Sequence, residues 1–349
     1  MDFHRLSIFY LHLVDNLNRK DVINLCTAIT FTSNNNSYFG RTFDLEKRFE
    51  ERVTVTPRNY IFRYSMGEVD RRHFAIIGTA TIMDRYPLYY DATNEFGLSM
   101  AGLNFVGNAY FSEKEIDGRI NLAPYELIPY MLSKYKSCLE CLEVLKTLHL
   151  VDKRFRNDIP NSELHWLISD GKDCLTLEIS REGTKIYNNP VGVLTNNPGF
   201  NQQILNLSNY MSLTNEEPVN KFASSIEMPA YSRGMGAIGL PGDNSSMSRF
   251  VRASYTKMNS SQPADNRLAL VQAFHILSSV EQQEGTVIFN GQFERTQYTS
   301  CCDIKNGIYY YKTYENSQIA AVNMFNENLE GDELISYRMR FEPNIEYIN

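Results

Sequence analysis

The sequence predicts an α+β fold built in layers, and three observations carry that expectation. Short stretches rich in Val, Ile, Thr and Tyr recur in the first 110 residues, between 164 and 195, and again after 285. Tracts with helical spacing separate them, chiefly at 123–148 and 248–284. Strands, helices, strands, helices and strands in that order suit two antiparallel sheets between helical layers. With 349 residues, 43% apolar, the chain can form one large layered domain or two ordinary ones. No repeat, low-complexity tract or linker divides it.

Taken in order, 23–31 reads as a strand and Ser33 to Ser37 as a turn into a second strand, 38–43. That hairpin carries Cys26 on its outer end. Residues 53–57 alternate like a third strand, 74–81 form an apolar run, and 88–91 lead through a turn at 94–97 into 98–105. Between 123 and 148, Leu127, Tyr130, Met131, Leu132, Tyr135, Leu139 and Leu142 follow helical spacing. Pro124 starts the first helix, Pro129 bends it, and Ser137 caps a second. Gly171-Lys172 joins a hairpin of 164–170 and 174–179. Further strands are expected at 185–187 and 192–195, and a short helix at 201–211. Pro and Gly make 214–247 loop. Helices over 248–258 and 264–284 precede strands at 285–289, 297–303, 307–312 and 318–322.

Charged residues make up 21% and the net charge is −7, with no basic block, which argues against nucleic acid as a partner. No apolar run reaches the ~18–20 residues of a membrane span, so no membrane insertion is expected. The six cysteines are irregularly spaced, which favours a reducing, cytoplasmic setting. Cys138 and Cys141 match C-x-x-C without a second ligand pair and read as helix residues; no metal or cofactor is expected. Cys301 and Cys302 read as buried thiols. His165 and His275 read as core histidines.

Residues 1–25 allow three readings: an upstream extension from a misassigned start, a propeptide removed autocatalytically, or a retained helix. The first two make Cys26 the first residue of a single domain, 26–349. A terminal cysteine carries its own base. Its amine (pKa ~7.7–8.0) and thiol (~8.5) are closely matched, so no histidine is needed. A carboxylate to orient the amine, cations near the thiolate and donors for an oxyanion remain to be found. Arg41 and Asp44 lie three apart, so both reach Cys26 only if that strand bends or bulges; otherwise they are a surface pair. Asn104, Asn196 and Arg249 each also have a plain structural reading, as turn, strand-end and helix residues.

Together these residues fall into ordered blocks. They include Cys26-Thr27-Ala28-Ile29-Thr30, Tyr38-Phe39-Gly40-Arg41-Thr42-Phe43-Asp44, Asn94-Glu95 and Ala101-Gly102-Leu103-Asn104-Phe105. Leu164-His165-Trp166, Gly192-Val193-Leu194-Thr195-Asn196-Asn197-Pro198, Gly239-Leu240-Pro241-Gly242-Asp243 and Ser248-Arg249-Phe250 follow. In these blocks the chain resembles the choloylglycine hydrolase family of N-terminal nucleophile hydrolases, from Cys26 to the C-terminus. The resemblance implies a four-layer αββα sandwich. It implies Cys26 as nucleophile, Asp44 as partner of its amine, Arg41 and Arg249 beside the thiolate, and Asn104 and Asn196 as oxyanion donors. The implied reaction is amide hydrolysis through a thioester. A homotetramer is implied as well. Thr42 departs from the family's usual Asn, and the 25 preceding residues depart from its usual start. While they remain, the amine is a non-basic amide.

Two substrates compete within the family: glycine- or taurine-conjugated bile salts, and penicillin V. Asn104, Pro87-Leu88-Tyr89-Tyr90-Asp91 and Arg233-Gly234-Met235-Gly236 resemble the bile salt group. A sterol needs an apolar, partly open pocket. Phe43, Leu45, Tyr125, Leu127, Ile128 and Tyr130 are candidate walls. A non-catalytic bile acid-binding protein with the leader retained is the remaining alternative.

Overall fold

A computed structural model describes residues 25–34 and 36–349. Among these described residues, fourteen strands precede residue 195. They are β1 (Cys26–Ser33), β2 (Asn36–Leu45), β3 (Arg52–Thr56), β4 (Phe62–Arg63), β5 (Val69–Asp70), β6 (Ile76–Met83), β7 (Tyr86–Asn94), β8 (Ser99–Asn104), β9 (Ile120–Leu122), β10 (Leu148–Leu150), β11 (Leu164–Ser169), β12 (Cys174–Ser180), β13 (Gly183–Asn188) and β14 (Val193–Leu194). After them come β15 (Val287–Phe289), β16 (Gln292–Asp303), β17 (Ile308–Thr313), β18 (Ala320–Asn323) and β19 (Ile335–Arg338). The α-helices are α1 (Leu127–Lys134), α2 (Cys138–Leu145), α3 (Phe200–Leu207), α4 (Ser246–Asn259) and α5 (Asn266–Ser278).

Two antiparallel sheets face each other. One has seven strands in the order β14-β1-β2-β16-β17-β18, with β15 on β16. The other has eight, β13-β12-β11-β8-β7-β6-β3-β19. Helices α4 and α5 cover the seven-stranded sheet, and α1 covers β6, β7 and β8 of the other. The result is four layers, αββα, with two apolar cores. One core runs from α4 and α5 through the seven-stranded sheet into the space between sheets; the other lies under α1 and α2.

Most expected elements are present, and the departures have causes. The helix expected over 264–284 ends at Ser278. Gln282 beyond it donates its backbone N–H to Thr296 Oγ1 at 2.8 Å, and a continuing helix could not make that bond. Pro129 sits in the first turn of α1, where N–H groups have no intrahelical acceptor to lose, and so has no bond to break. Ser137 caps α2, accepting the Glu140 N–H at 3.3 Å. β4, β5, β9, β10 and β19 are too short for a sequence period to mark. His275 is exposed on α5, contrary to the core expectation. Part of the strand expected from residue 23 lies outside the described residues. All six cysteines are free and buried. Among the described residues, no helix is long and apolar enough to cross a membrane.

Candidate active site

The geometry begins with where β14 stops. It pairs with β1 only at Ala28 and Ile29. The backbone N–H and C=O of Cys26 point to the same side as those of Ala28, two residues on, and find no strand there. Side chains take the strand's place. Cys26 N–H donates to Asn196 Oδ1 at 2.9 Å, and Arg249 Nη1 donates to Cys26 O at 2.6 Å. The same guanidinium bonds Thr27 Oγ1 and Asn196 Oδ1, each at 2.7 Å, and its Nε donates to Asn244 O at 3.0 Å. Arg249 is thereby a four-point clamp, fully buried in the first turn of α4.

Asn196 is fixed in turn. Its N–H donates to Ser246 Oγ at 2.8 Å, and its Nδ2 donates to the Asn104 carbonyl at 2.9 Å. Gln203 Nε2 reaches the Asn196 carbonyl at 3.3 Å. The peptide after Asn197 is cis to Pro198. His165 is buried as expected, with Nε2 2.7 Å from Thr195 O and Nδ1 3.4 Å from Glu178 Oε1. Its ring stacks on Phe105 at 4.4 Å.

The bulge expected in the strand of Arg41 and Asp44 is absent from β2. β2 alternates regularly, and the irregularity lies in β16 between Thr296 and Tyr298. Arg41 and Asp44 therefore lie on opposite faces of β2, with Cys26 at the strand end between them. Towards the helices, Asp44 accepts Thr296 Oγ1 at 2.6 Å, Thr42 Oγ1 at 3.1 Å and Gln282 Nε2 at 3.5 Å. Its backbone N–H donates to Leu25 O at 3.1 Å. Burial pushes its carboxyl up to about 6, against the lowering pull of Arg249, the Thr296 and Thr42 hydroxyls and Arg41. Towards the second sheet, Arg41 Nη1 donates to Tyr90 O at 2.9 Å and Gly102 O at 3.0 Å.

Cys26 is 3% exposed. Burial raises its pKa above the usual value, with the Asp44 charge adding to it; Arg41, the Asp44 N–H and Arg249 pull the other way. The site is thus a buried thiol with two cations and one carboxylate around it. One further carboxylate had no signal in the sequence. Glu294, 1% exposed and two residues before Thr296, accepts the Leu25 N–H at 3.0 Å. Burial and the negative charges of Asp44 and Glu46 push it up to about 8. Gln282 and Thr296 were likewise unmarked.

The structure brings Cys26, Arg41, Asp44, Asn104, Asn196 and Arg249 together. It does not gather the six candidate walls. Phe43 lies opposite Cys26 in the β1–β2 register and packs on Tyr90 and Tyr298, with ring centroids 4.5 and 4.9 Å away. Leu45 is buried in the same core. Leu127, Ile128 and Tyr130 are buried in the other core, under α1, where Tyr125 also packs. Their helical spacing marked a core face, which is what such spacing encodes.

Comparison with known proteins agrees with this architecture. The family model described as linear amide C–N hydrolases, choloylglycine hydrolase family, matches residues 26–337. A bile salt hydrolase/transferase of Lactiplantibacillus plantarum is 48% identical over 93% of this chain and 100% of its own length. Its counterpart in Clostridium perfringens is 35% identical, with the same coverage. A solved structure of a variant conjugated bile acid hydrolase from Clostridium perfringens superposes with a TM-score of 0.86 at 34% identity, covering 93% of this chain and all of that one. A penicillin V acylase from Agrobacterium tumefaciens, 18% identical, shares the fold with a TM-score of 0.69 over 90% of this chain and 91% of its own. Motifs, layers and matches converge, and the chain belongs to the choloylglycine hydrolase family of linear amide C–N hydrolases.

Proposed function

We propose that this protein hydrolyses the amide of glycine- or taurine-conjugated bile acids, with Cys26 as nucleophile. The observation that carries the mechanism is the side-chain clamp on Cys26: Asn196 on its nitrogen and Arg249 on its carbonyl. The bile acid substrate rests on the relatives, which are named for it over their whole length. In the form that begins at Cys26, the nitrogen beside Asn196 Oδ1 becomes an amine and can take the thiol proton. The sulfur attacks the amide carbonyl, and the oxyanion takes hydrogen bonds from the amides of Asn104 and Asn196. The ammonium returns its proton to the leaving amine, breaking the C–N bond and leaving a thioester. Water, deprotonated by the freed amine, then releases the bile acid and regenerates the thiol. An amine in place of water would give acyl transfer, the second activity in the plantarum relative's name.

Asp44 and Arg249 would hold the amine and the Cys26 carbonyl, and Arg41 would face the sulfur. With residues 1–25 attached, the nitrogen is an amide and this route is closed. Intact mass of the purified protein, paired with glycine release from glycocholate, tests the proposal. A mass starting at Cys26 with release is expected. A mass starting at Cys26 without release would sink the reading. Equal concentrations of glycocholate and penicillin V separate the two substrate readings; faster cleavage of penicillin V would reverse the assignment.

A further inference from the structure

Asp91 is a buried carboxylate that the chemistry above leaves unused. It sits on β7, 2% exposed, and reaches from the eight-stranded sheet to the seven-stranded one. Three hydroxyls donate to it: Tyr309 Oη at 2.5 Å, Tyr298 Oη at 3.2 Å and Ser300 Oγ at 3.3 Å. The register of β6 on β7 shifts here, with Thr79 opposite Asp91 and Ala80 opposite Tyr89, so Tyr90 is the extra residue of a bulge. A bulge re-aims the groups beside it. Both the Tyr90 carbonyl and the Asp91 carboxylate address groups of the seven-stranded sheet.

Arg41 meets them from that sheet. Three carbonyls hold its guanidinium: Tyr90 O, Gly102 O and, through Nε at 3.3 Å, Thr42 O. Its Nη2 is buried and has no hydrogen-bond partner. Burial opposes the Arg41 charge, while Cys26, Tyr298 and Asp91 support it, so the guanidinium stays charged. Ser300, which donates to Asp91, lies opposite Arg41 in the β2–β16 register, so the carboxylate and the guanidinium meet on the same side of that sheet as the Cys26 sulfur.

We propose that Asp91 is a positioning residue for the nucleophile, the counter-charge that balances Arg41 so that it orients the Cys26 sulfur without over-stabilising the thiolate. The proposal rests on Cys26 being the nucleophile. A thiolate whose pKa is pulled far down is abundant but a poorer nucleophile, so the field needs an upper limit. The two faces of β2 then match: Arg249 is offset by Asp44 on the helix side, and Arg41 by Asp91 on the sheet side. Groups facing Cys26 are Arg41 and Asp44 from β2 and Arg249 from α4. Burial raises the Asp91 carboxyl above its usual value, and Arg41 with the Tyr309, Tyr298 and Ser300 hydroxyls pulls it back down. Glu51 acts on Tyr90 and Tyr298, Asp91 itself acts on Cys302, and Glu294 lies near Asp44 and Arg249. Because three carbonyls hold Arg41 whatever the charge at position 91, Asp91→Asn changes the field more than the geometry.

The test is the rate of Cys26 alkylation by iodoacetamide between about pH 6 and pH 10, across the thiol range. It is read on the purified full chain, with the labelled peptide identified by mass. Asp91→Asn should move the midpoint down by about half a unit to one unit, the size expected when one nearby charge is removed. Tyr309→Phe removes one of three donors to the carboxylate and should move it the same way by less. That variant carries the test if Asp91→Asn does not fold. An unchanged or higher midpoint in a folded variant overturns the proposal. So does a wild-type Cys26 that is unlabelled at every pH. In protein whose intact mass begins at Cys26, the acid limb of kcat/KM on glycocholate should follow the alkylation midpoint. If that form does not cleave glycocholate, the substrate assignment fails while the alkylation result still decides the role of Asp91.

Discussion

Around Cys26 many of the fully buried positions are polar: Thr27, Arg41, Thr42, Asp44 and Arg249 are all inaccessible. Under α1 and α2 the equally buried positions are Leu127, Met131, Leu132, Leu145, Trp166 and Leu177. Both regions are covered by helices and built on antiparallel strands, so burial alone does not distinguish them. What differs is the partner each buried group needs. An apolar side chain is satisfied by any neighbour of the right volume. A buried guanidinium or carboxylate is tolerated only where specific donors and acceptors meet it. The first region gathers charges at some cost in stability, and the second supplies stability from apolar packing.

The sharpest break in that comparison is Cys26→Ser. Turnover of glycocholate should fall at least about 1,000-fold, since the nucleophile acts as part of a unit. The thermal midpoint should stay within a few degrees and bile salt binding should persist. Retained wild-type turnover would disprove the nucleophile. Next is Leu127→Ala, in the apolar region, which should cost about 2–5 kcal/mol in denaturant unfolding. Its kcat per folded molecule should match the wild type; a specific loss of kcat would place α1 in the site after all.

Asp44→Asn sharpens the comparison through pH. The folded carboxyl titrates at about 6, above its usual 3.8, so the folded chain binds that proton more tightly than the unfolded one. Ionising it costs stability, and the cost grows as pH rises from near 4 to above 6. At 1.36 kcal/mol per unit, two units come to about 3 kcal/mol. Denaturant midpoints of Asp44→Asn relative to wild type should therefore improve by that order between pH 4 and pH 7. In protein beginning at Cys26 the new ammonium would offset the carboxylate and shrink the gain. Parallel curves in both forms would show that Asp44 is not under strain.

The layered architecture was legible because period-two and helical spacing survive wherever one face is buried. Cys26, Arg41, Asp44, Asn104, Asn196 and Arg249 were legible through ordered blocks rather than spacing, since they come from five separate blocks of chain. Arg41 and Asp44 were misread locally. Alternation is right that they oppose each other, and the strand end, not a bulge in β2, lets both flank Cys26. Glu294, Thr296 and Gln282 left no mark, because their importance lies in which strand happens to be adjacent. The wall residues Tyr125, Leu127, Ile128 and Tyr130 failed for the opposite reason: apolarity is the one signal that core and pocket share.

The shortness of β14 has a consequence beyond the Cys26 backbone it leaves without a partner strand. A neighbouring strand would offer the same donors and acceptors at every second residue, and its grip would repeat along the sheet without preferring any position. Ending it after Leu194 replaces that repeat with a single asymmetric bracket, an amide oxygen from one loop and a guanidinium from a helix. The bracket is addressable. Its two halves hang from elements far apart in the chain, so either can be retuned by substitution while the ladder of β1 and β2 stays in register. The sheet supplies the ruler, and the gap in it marks a graduation that can be adjusted without moving the rest.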